Sequence, residues 1–364
     1  MKPYRILAME TSCDETAAAV VEDGRRILSN AVFSQMDIHA LYGGVVPEIA
    51  SRAHVDACDR MIDQALKEAN LTVGQIDALA VTSGPGLVGA LLIGVNCMKG
   101  FSYATGKRLI PVNHIEGHVS ANFLSNPDLE PPFVCLVVSG GHSHLVIVND
   151  YGRYTLLGQT MDDAAGEAFD KAARVLGLPY PGGPHLSALA EGGDPAFLKL
   201  PRPKAEGKYD FSFSGLKTAF INACHKLEQK GQPPTRREGK ARPAPEIAQG
   251  NEARSLAQAK RRAMPIADLA ASYQQAIVDS LCDKTVLAVK DSGLKTLCLA
   301  GGVSANRLLR AQMAALAKER GIRLCMPAIE LCTDNAAMIA SAAYYRREQT
   351  AVLSLNAEPN LRLV

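Results

Sequence analysis

A strand–turn–strand pattern occurs twice in this chain of 364 residues and constrains its fold more than any other feature. The first copy reads YRILAM, ETSCDET and AAAVVED from residue 4, and the second reads FVCLVVS, GGHSH and LVIVND from residue 133. In both copies, apolar runs rich in β-forming residues flank a tight polar turn. The repetition predicts an internal duplication in which each copy starts one lobe.

The rest of the chain alternates between helical and extended patterns. The stretch PEIASRAHVDACDRMIDQALKEAN begins with Pro47, and a proline destabilises a helix least at its first positions. The stretch LVGALLIGVNCMKGFSYA is apolar nearly all round, which predicts a buried helix. This alternation predicts an α/β protein whose sheets are covered by helices, with two lobes enclosing a cleft.

Composition is that of a globular protein, with 47% hydrophobic and 21% charged residues. The beginning of the chain lacks the long apolar stretch of a signal peptide, and the apolar run LVGALLIGVNCM is too short to cross a bilayer. The nine cysteines include no C-x-x-C pair, which favours reduced thiols over a disulfide framework. We therefore predict a cytoplasmic protein without a membrane segment.

Charge is concentrated in one segment. The whole chain has a formal net charge of only +2, whereas residues 226–262 contain ten Lys or Arg and four Glu among many Pro, Gly, Gln and Ala. This basic insertion is suited to contacting phosphate groups, although a solvated loop without a partner is an equal alternative.

Two histidines four residues apart, His114 and His118, follow an apolar run in RLIPVNHIEGHVSANFL. Four residues are about one helical turn, so both imidazoles would project from one face and could hold a metal ion. Asp334, in a polar turn before an apolar helix, is a candidate third ligand. Two His and one carboxylate leave coordination positions open and suit Fe(II) or Zn(II).

The turns VVSGGHSH and LAGGVSAN are the candidate anion sites. Adjacent glycines let a phosphoryl or acyl oxygen approach the backbone, although Gly-Gly is also common in ordinary β-turns. We predict that His142 and His144 point to opposite faces. In the second turn, Ser304 is the predicted N-cap and Asn306 could bind a base or a ribose. Neither turn matches the dinucleotide or P-loop pattern, which disfavours hydride transfer and ordinary P-loop ATPase chemistry.

The sequence HIEGH differs from the metalloprotease motif H-E-x-x-H. In that motif, the glutamate directly follows the first histidine and activates water. Here Glu116 lies two positions after His114, which turns it roughly 200° away on a helix. This geometry disfavours a protease.

Taken together, these motifs resemble the bacterial branch of the tRNA N6-adenosine threonylcarbamoyltransferase family. The resemblance extends from about residue 4 to residue 345. The matching segments are METSCDET, GGVVPEIASRAH, GPGL, NHIEGH, VSGGH, DDAAGEAFDK, YPGGP, FSFSGLKT, AGGVSAN and TDNAAMIA.

The resemblance implies an actin-like, sugar-kinase-like two-lobed fold in which each lobe is built on an RNase H-like sheet. The first lobe would comprise residues 1–112 plus about 336–364, and the second residues 113–335 with the basic insertion at about 226–262. The reaction would transfer a threonylcarbamoyl group from threonylcarbamoyl-adenylate to N6 of adenosine 37, in tRNAs that read codons beginning with A, and release AMP.

The resemblance also implies site residues. His114, His118 and Asp334 would bind one divalent metal, Fe(II) or alternatively Zn(II). The phosphate or acyl loop would comprise Val137, Val138, Ser139, Gly140 and Gly141, and the adenylate would contact Asp170, Gly183 and Asn306. Because the exocyclic amine of adenine is a poor nucleophile, a nearby carboxylate would help to remove its proton, and we expect Glu10 or Glu15 to do so.

The family usually works with a non-catalytic paralogue and a small ATPase, while a separate synthase makes the adenylate. At position 187 this chain has Ser where many relatives have Asp, which leaves open whether this residue contacts a ribose. The basic insertion is also longer than expected for the family. Three alternatives remain: a metalloprotease, a sugar or acetate kinase, and a non-catalytic scaffold of a tRNA-modification complex. The position of Glu116 argues against the metalloprotease. The first turn, Glu10-Thr11-Ser12, argues against the kinase. The presence of both histidines and Asp334 argues against the non-catalytic scaffold.

Overall fold

The computed structural model describes residues 2–202, 205–230, 264–349 and 354–364. Most of the predicted basic insertion, residues 231–262, therefore lies outside the described residues. The described part of the chain forms two five-stranded sheets with helices on their faces. This architecture confirms the α/β class that was predicted from the alternating pattern.

The first sheet has the strand order β3-β2-β1-β4-β5. Strand β1 pairs antiparallel with β2 and parallel with β4, so the first predicted hairpin lies inside the sheet. The strands are β1 (Arg5–Glu10), β2 (Glu15–Glu22), β3 (Arg26–Ser34), β4 (Ala78–Gly84) and β5 (Leu109–Asn113).

The second sheet repeats this arrangement, with the order β10-β9-β6-β7-β8. Strand β6 pairs antiparallel with β7 and parallel with β9, as β1 does with β2 and β4. The strands are β6 (Phe133–Val138), β7 (Ser143–Asp150), β8 (Arg153–Gln159), β9 (Thr296–Ala300) and β10 (Arg323–Cys325). The shared topology confirms the predicted duplication.

The helices of the first half are α1 (Met36–Ala40), α2 (Pro47–Glu68), α3 (Val88–Thr105) and α4 (His114–Ser125). Those that follow are α5 (Ala165–Leu176), α6 (Gly182–Ala190), α7 (Ser214–Lys230), α8 (Ile266–Ser292), α9 (Arg307–Glu319) and α10 (Ala336–Tyr345). None of the described helices combines the length and the apolarity that a bilayer-spanning segment requires.

The first sheet is buried on both faces, which explains the nearly continuous apolar runs of its central strands. Along β1, Ile6 and Ala8 pack on the face covered by α10, whereas Leu7 and Met9 pack on the face covered by α2 and α3. The helix α10 is thus a late segment of the chain that returns to the first sheet.

Helix α4 lies between the two sheets. Its residues Ile115 and Val119 pack against Cys135 and Val137 of β6, on the opposite face of that strand from Val134 and Leu136. The same helix packs along α10. A helix held by the second sheet on one side and by α10 on the other is a rigid support for the side chains that it presents.

Candidate active site

Helix α4 presents His114 at the cleft and carries His118 one turn further along. The helix begins directly after β5, and Asn113 is its N-cap, because the Asn113 side chain accepts hydrogen bonds from the backbone N–H groups of Ile115 and Glu116. Both histidines are buried, and their ring centroids are 4.6 Å apart. The four-residue spacing therefore places the two rings side by side, as the sequence predicted.

Asp334 reaches the same point from the far end of the chain. It directly precedes α10, whose N-cap Asn335 accepts a hydrogen bond from the Met338 N–H at 3.0 Å. Asp334 Oδ1 lies 3.2 Å from His118 Nε2 and 3.5 Å from His114 Nε2. The structure brings the three predicted ligands together, with one donor atom of each within 4.8 Å of the others.

This donor set fits a metal ion. Two ligands about 2.1 Å from a tetrahedral metal are roughly 3.4 Å apart, which is close to the distances from Asp334 to the two imidazoles. Although His118 is buried, neither of its ring nitrogens makes a hydrogen bond to the described residues. A buried imidazole nitrogen without a hydrogen bond, directed at a carboxylate and a second imidazole, is the arrangement that a divalent cation would satisfy.

Glu10 lies behind His114 and fixes its orientation. His114 Nδ1 is 3.1 Å from Glu10 Oε2 and 3.1 Å from Ser12 Oγ. A carboxylate that accepts the Nδ1 proton leaves the Nε2 lone pair free for a metal. This contact indicates that Glu10 orients His114 as a candidate metal ligand and does not itself contact a substrate.

The charges of the cluster reinforce one another. Burial lowers the pKa of His114, but the carboxylates of Asp334 and Glu10 outweigh it and raise that pKa to about 9. Burial acts to raise the pKa of Asp334, and the attraction of His114 and His118 overcomes this effect and lowers it. Asp334 is therefore ionised and available as a ligand, and a bound cation would replace the second proton that the raised pKa places on His114.

The two expected proton acceptors occupy different positions. Glu10 is fully buried, and it also accepts hydrogen bonds from the Ser12 N–H and the Thr82 hydroxyl. Glu15 lines the cleft together with Asp14. Burial, with the nearby charges of Asp334 and Asp14, raises the pKa of Glu15 well above its usual value. Of the two carboxylates, only Glu15 faces the space where a substrate would lie.

The cleft itself has a volume of about 710 Å³ and is bounded by both halves of the fold. On one side are the first hairpin turn and the GPGL segment, and on the other are the glycine turn after β6, helix α5 and the start of α6. Asp334 and His114 both line it. Two of the three candidate metal ligands are therefore accessible from the cleft, whereas His118 is buried.

Only part of the predicted phosphate or acyl loop lies at this cleft. Val137 and Val138 are fully buried in β6, while Ser139, Gly140 and Gly141 line the cleft. The Ser139 amide donates to the His142 carbonyl at 2.8 Å and is thus used within the turn. Among the described residues, the amides of Gly140 and Gly141 have no protein acceptor, so they are the two that a ligand could use.

Helix α5 begins against this loop. The Gly166 and Glu167 amides donate to the carbonyls of Ser139 and Gly140. A Cβ atom at Gly166 would lie 2.6 Å from the Ser139 carbonyl oxygen, so only glycine permits this approach. At Gly140 and Gly141, in contrast, an added Cβ would meet no protein atom within 4 Å.

The three predicted adenylate contacts all lie at the cleft. Asp170 Oδ1 accepts hydrogen bonds from the amides of Gly182 and Gly183, at 2.8 and 3.1 Å, and so fixes the start of α6. Asn306 Nδ2 donates to Gln274 Oε1 at 2.8 Å. Burial raises the pKa of Asp170, although the two amide hydrogen bonds oppose the increase.

Two local predictions were wrong. Ser304 is buried inside a short 3₁₀ turn, and the N-cap of α9 is Asn306, whose side chain accepts from the Leu309 N–H. His142 and His144 do not point apart, since their ring centroids are 5.5 Å apart. Residues two positions apart in an extended segment share a face, so the alternation should have indicated proximity. His142 lines the cleft and was missed as a site residue.

Glu116 does not take part in this site. Its carboxylate is buried and accepts a hydrogen bond from Arg346 Nε at 2.7 Å. The glutamate of a zinc-dependent protease must reach the metal-bound water. The structure places Glu116 in an ion pair on another face of α4.

Comparison with known proteins identifies close relatives. Residues 26–341 match the family model described as tRNA N6-adenosine threonylcarbamoyltransferase. The chain is 48% identical over 361 residues to the protein of that name from Clostridium perfringens (strain SM101 / Type A), covering 98% of each chain. It is also 48% identical to the one from Clostridium botulinum (strain 657 / Type Ba4), covering 98% of this chain and 97% of the relative.

Solved structures support the fold. The HypF protein of T. kodakarensis aligns with a TM-score of 0.60 at 14% identity, covering 95% of this chain and 48% of that chain. Component A of the (R)-2-hydroxyglutaryl-CoA dehydratase of Acidaminococcus fermentans aligns with a TM-score of 0.51 at 13% identity, covering 95% and 100%. These similarities, with the duplicated sheets, confirm the actin-like fold.

Proposed function

The chain belongs to the tRNA N6-adenosine threonylcarbamoyltransferase family, and from this premise we propose how its cleft performs the reaction. As an acyltransferase that modifies tRNA, it would take the acyl group from threonylcarbamoyl-adenylate and attach it to N6 of adenosine 37 in tRNAs reading codons that begin with A. The observation that carries this proposal is the convergence of His114, His118 and Asp334 beside the free amides of Gly140 and Gly141.

One divalent metal would be held by His114, His118 and Asp334. Two imidazoles and one carboxylate suit Fe(II), with Zn(II) as the alternative. When bound, such an ion would act as a Lewis acid and as a template for the oxygens of the donor. Glu10 would keep His114 in the tautomer that leaves Nε2 free for the ion.

The glycine turn would bind the donor's reacting end. Gly140 and Gly141 line the cleft, and their amides have no protein acceptor in the part of the chain that the structure describes, so they can donate to the phosphate or to the oxygen on which charge develops. The turn around Ser139 and the start of α5 hold these two amides in place. They would therefore be ordered before the threonylcarbamoyl-adenylate binds. Asp170, Gly183 and Asn306 would contact the adenylate.

The transfer step is an acyl substitution. The N6 amine of adenosine attacks the carbonyl carbon of the donor, a C–N bond forms, the C–O bond to the adenylate phosphate breaks, and AMP leaves. One N6 proton must be lost. We assign its removal to the Glu15 carboxylate, because Glu15 faces the cleft whereas Glu10 is buried and already hydrogen-bonded.

Other proteins would complete the pathway. We propose that a separate synthase supplies the adenylate, and that a non-catalytic paralogue and a small ATPase act with this chain, as in the family that it resembles. The shared tRNA substrate would place the whole set in the cytoplasm.

The test is mass spectrometry of nucleosides from tRNA incubated with threonine, bicarbonate, ATP and the synthase, with and without this protein. We expect N6-threonylcarbamoyladenosine only when the protein is present. The variant Asp334→Ala should give none, whereas Asp128→Ala, which alters an exposed carboxylate paired with Arg323, should give the wild-type amount. Absence of the product with wild-type protein, synthase and partners all present would overturn the proposal.

A further inference from the structure

A short segment at the rim of the cleft, Met36–Gly44, comprises α1 and the turn that follows it. Met36 lines the cleft. The preceding residue, Gln35, donates its N–H to the carbonyl of Asp14 at 3.0 Å, and Asp14 belongs to the first hairpin turn. This rim segment therefore starts at the wall of the proposed reaction site.

The underside of the rim segment is fixed to the body of the protein. His39 is fully buried, with Nε2 3.2 Å from Gln35 Oε1 and with Nδ1 accepting from the Val46 N–H at 3.3 Å. Gln35 in turn donates to the Ala50 carbonyl in α2. The rim segment thus keeps a defined position although it is short.

The far end of the rim segment reaches the other side of the cleft. Arg174 of α5 donates from Nη2 to the Gly43 carbonyl at 2.7 Å. One turn earlier in the same helix, Asp170 lines the cleft. No carboxylate among the described residues forms a salt bridge with Arg174, which is exposed. An exposed guanidinium, with the Asp170 carboxylate one turn away on the same helix, therefore lies at the rim.

The outer surface of the rim segment is apolar and exposed. Leu41 is 83% exposed, more than any other large hydrophobic side chain of the described residues, and Tyr42 is 61% exposed. These side chains contribute little to the core, yet the backbone beneath them is anchored at both ends. Exposed apolar side chains on an anchored segment beside a substrate cleft indicate a contact surface.

We propose that Tyr42, with Leu41 beside it, is a stacking platform for an unpaired base of the tRNA loop next to the reacting adenosine, and that Arg174 contacts the adjoining phosphate. This inference rests on the proposed function. To place N6 in the cleft, the loop must pass over the rim with its bases unstacked. Single-stranded RNA is recognised by aromatic stacking together with basic side chains, which Tyr42 and Arg174 supply.

The test uses the full-length protein with preformed threonylcarbamoyl-adenylate and a range of tRNA concentrations. Tyr42→Ala should raise the KM for tRNA roughly 5- to 100-fold, as expected for the loss of one stacked base. The KM for the adenylate should not change. Tyr42→Phe keeps the ring and should retain wild-type KM, and Tyr103→Ala, which removes a tyrosine 79% exposed on α3, is the matched control.

A second measurement separates this inference from the reaction itself. Equilibrium binding of an anticodon stem–loop RNA should weaken to a similar degree with Tyr42→Ala and should remain with Tyr42→Phe, whether or not the wild type makes product. Equal RNA binding by wild type and Tyr42→Ala would overturn the platform. So would a loss confined to binding of the non-catalytic paralogue, which would assign the surface to a protein partner.

Discussion

Glu116 of α4 and Arg346 at the end of α10 form an ion pair in which the carboxylate is buried and the guanidinium is partly exposed, with Arg346 Nε 2.7 Å from Glu116 Oε1. The pair joins the helix that carries both histidines to the helix that follows Asp334. Burial raises the pKa of Glu116, while Arg346 and a hydrogen bond from Tyr154 oppose the increase. The ion pair therefore holds the two elements whose separation sets the spacing of the metal ligands.

Glu116→Gln should weaken both folding and metal binding. The substitution leaves Arg346 without its charged partner, and because that guanidinium is partly exposed, we expect a loss of about 1 to 3 kcal/mol of unfolding free energy. Thermal unfolding and metal titration would measure the two effects. Glu48→Gln is the control, because Glu48 pairs with Arg52 on an exposed face of α2 and should change stability by less than about 1 kcal/mol. Unchanged metal affinity in Glu116→Gln would show that the pair does not position the ligands.

Gly140→Ala should impair donor binding without loss of stability. An added Cβ at Gly140 meets no protein atom within 4 Å, so its only effect is to occupy space in front of the free amides. We expect a decrease of about 10-fold or more in kcat/KM for the adenylate, since one group that would donate to the phosphate or to the developing charge is obstructed. Gly192→Ala, where the space is also open, is the control in the same assay.

Gly166→Ala makes the complementary prediction. Its Cβ would overlap the Ser139 carbonyl and the Gly140 backbone, so α5 must move away from the loop. This variant should lower the melting temperature as well as the affinity for the adenylate. A Gly166→Ala protein as stable as Gly140→Ala would contradict the proposed packing of α5 on the loop.

Activity should rise with pH through the pKa of Glu15. A proton acceptor must be ionised, and burial with the charges of Asp334 and Asp14 keeps this carboxyl protonated to a higher pH than usual. The rate of transfer from preformed adenylate is therefore low in acid and increases as the pH rises through the pKa of Glu15. That pKa lies above the ordinary glutamate value of about 4.3. Glu15→Gln should remove that rising limb. If Glu15→Gln had wild-type rates at every pH, another group would accept the proton.

Glu10→Gln should lower metal affinity about 10- to 100-fold, as is typical when a group that orients a metal-binding histidine is changed. His114 Nδ1 would lose its charged acceptor. Glu22→Gln is a suitable control, because Glu22 is also a buried carboxylate in the first sheet but pairs with Arg5 and Arg26. Competition with a metal-sensitive dye would give both affinities.

The sequence predicted the central strands well because those strands are apolar on both faces. Strands β3, β8 and β10, in contrast, were not predicted, and all three are edge strands. Each is partly exposed, so its apolar signal is interrupted by polar residues. Edge strands are defined by their neighbour in the sheet, which local sequence does not reveal.

At the site, spacing along α4 was sufficient to place His114 and His118 together, because a helical turn is local geometry. The approach of Asp334 could not follow from spacing, since it depends on α10 packing along α4. The different surroundings of Glu10 and Glu15 likewise follow from tertiary contacts: five residues apart, one lies behind His114 and the other faces the cleft.

The most direct test of the account is the metal content of the purified protein after anaerobic loading and removal of unbound metal. We predict one divalent ion per chain for the wild type and for Glu48→Gln, and a loss of at least nine-tenths of it for His118→Ala and for Asp334→Ala in folded protein. A full complement of metal in Asp334→Ala would contradict the central claim that these three side chains form the metal site.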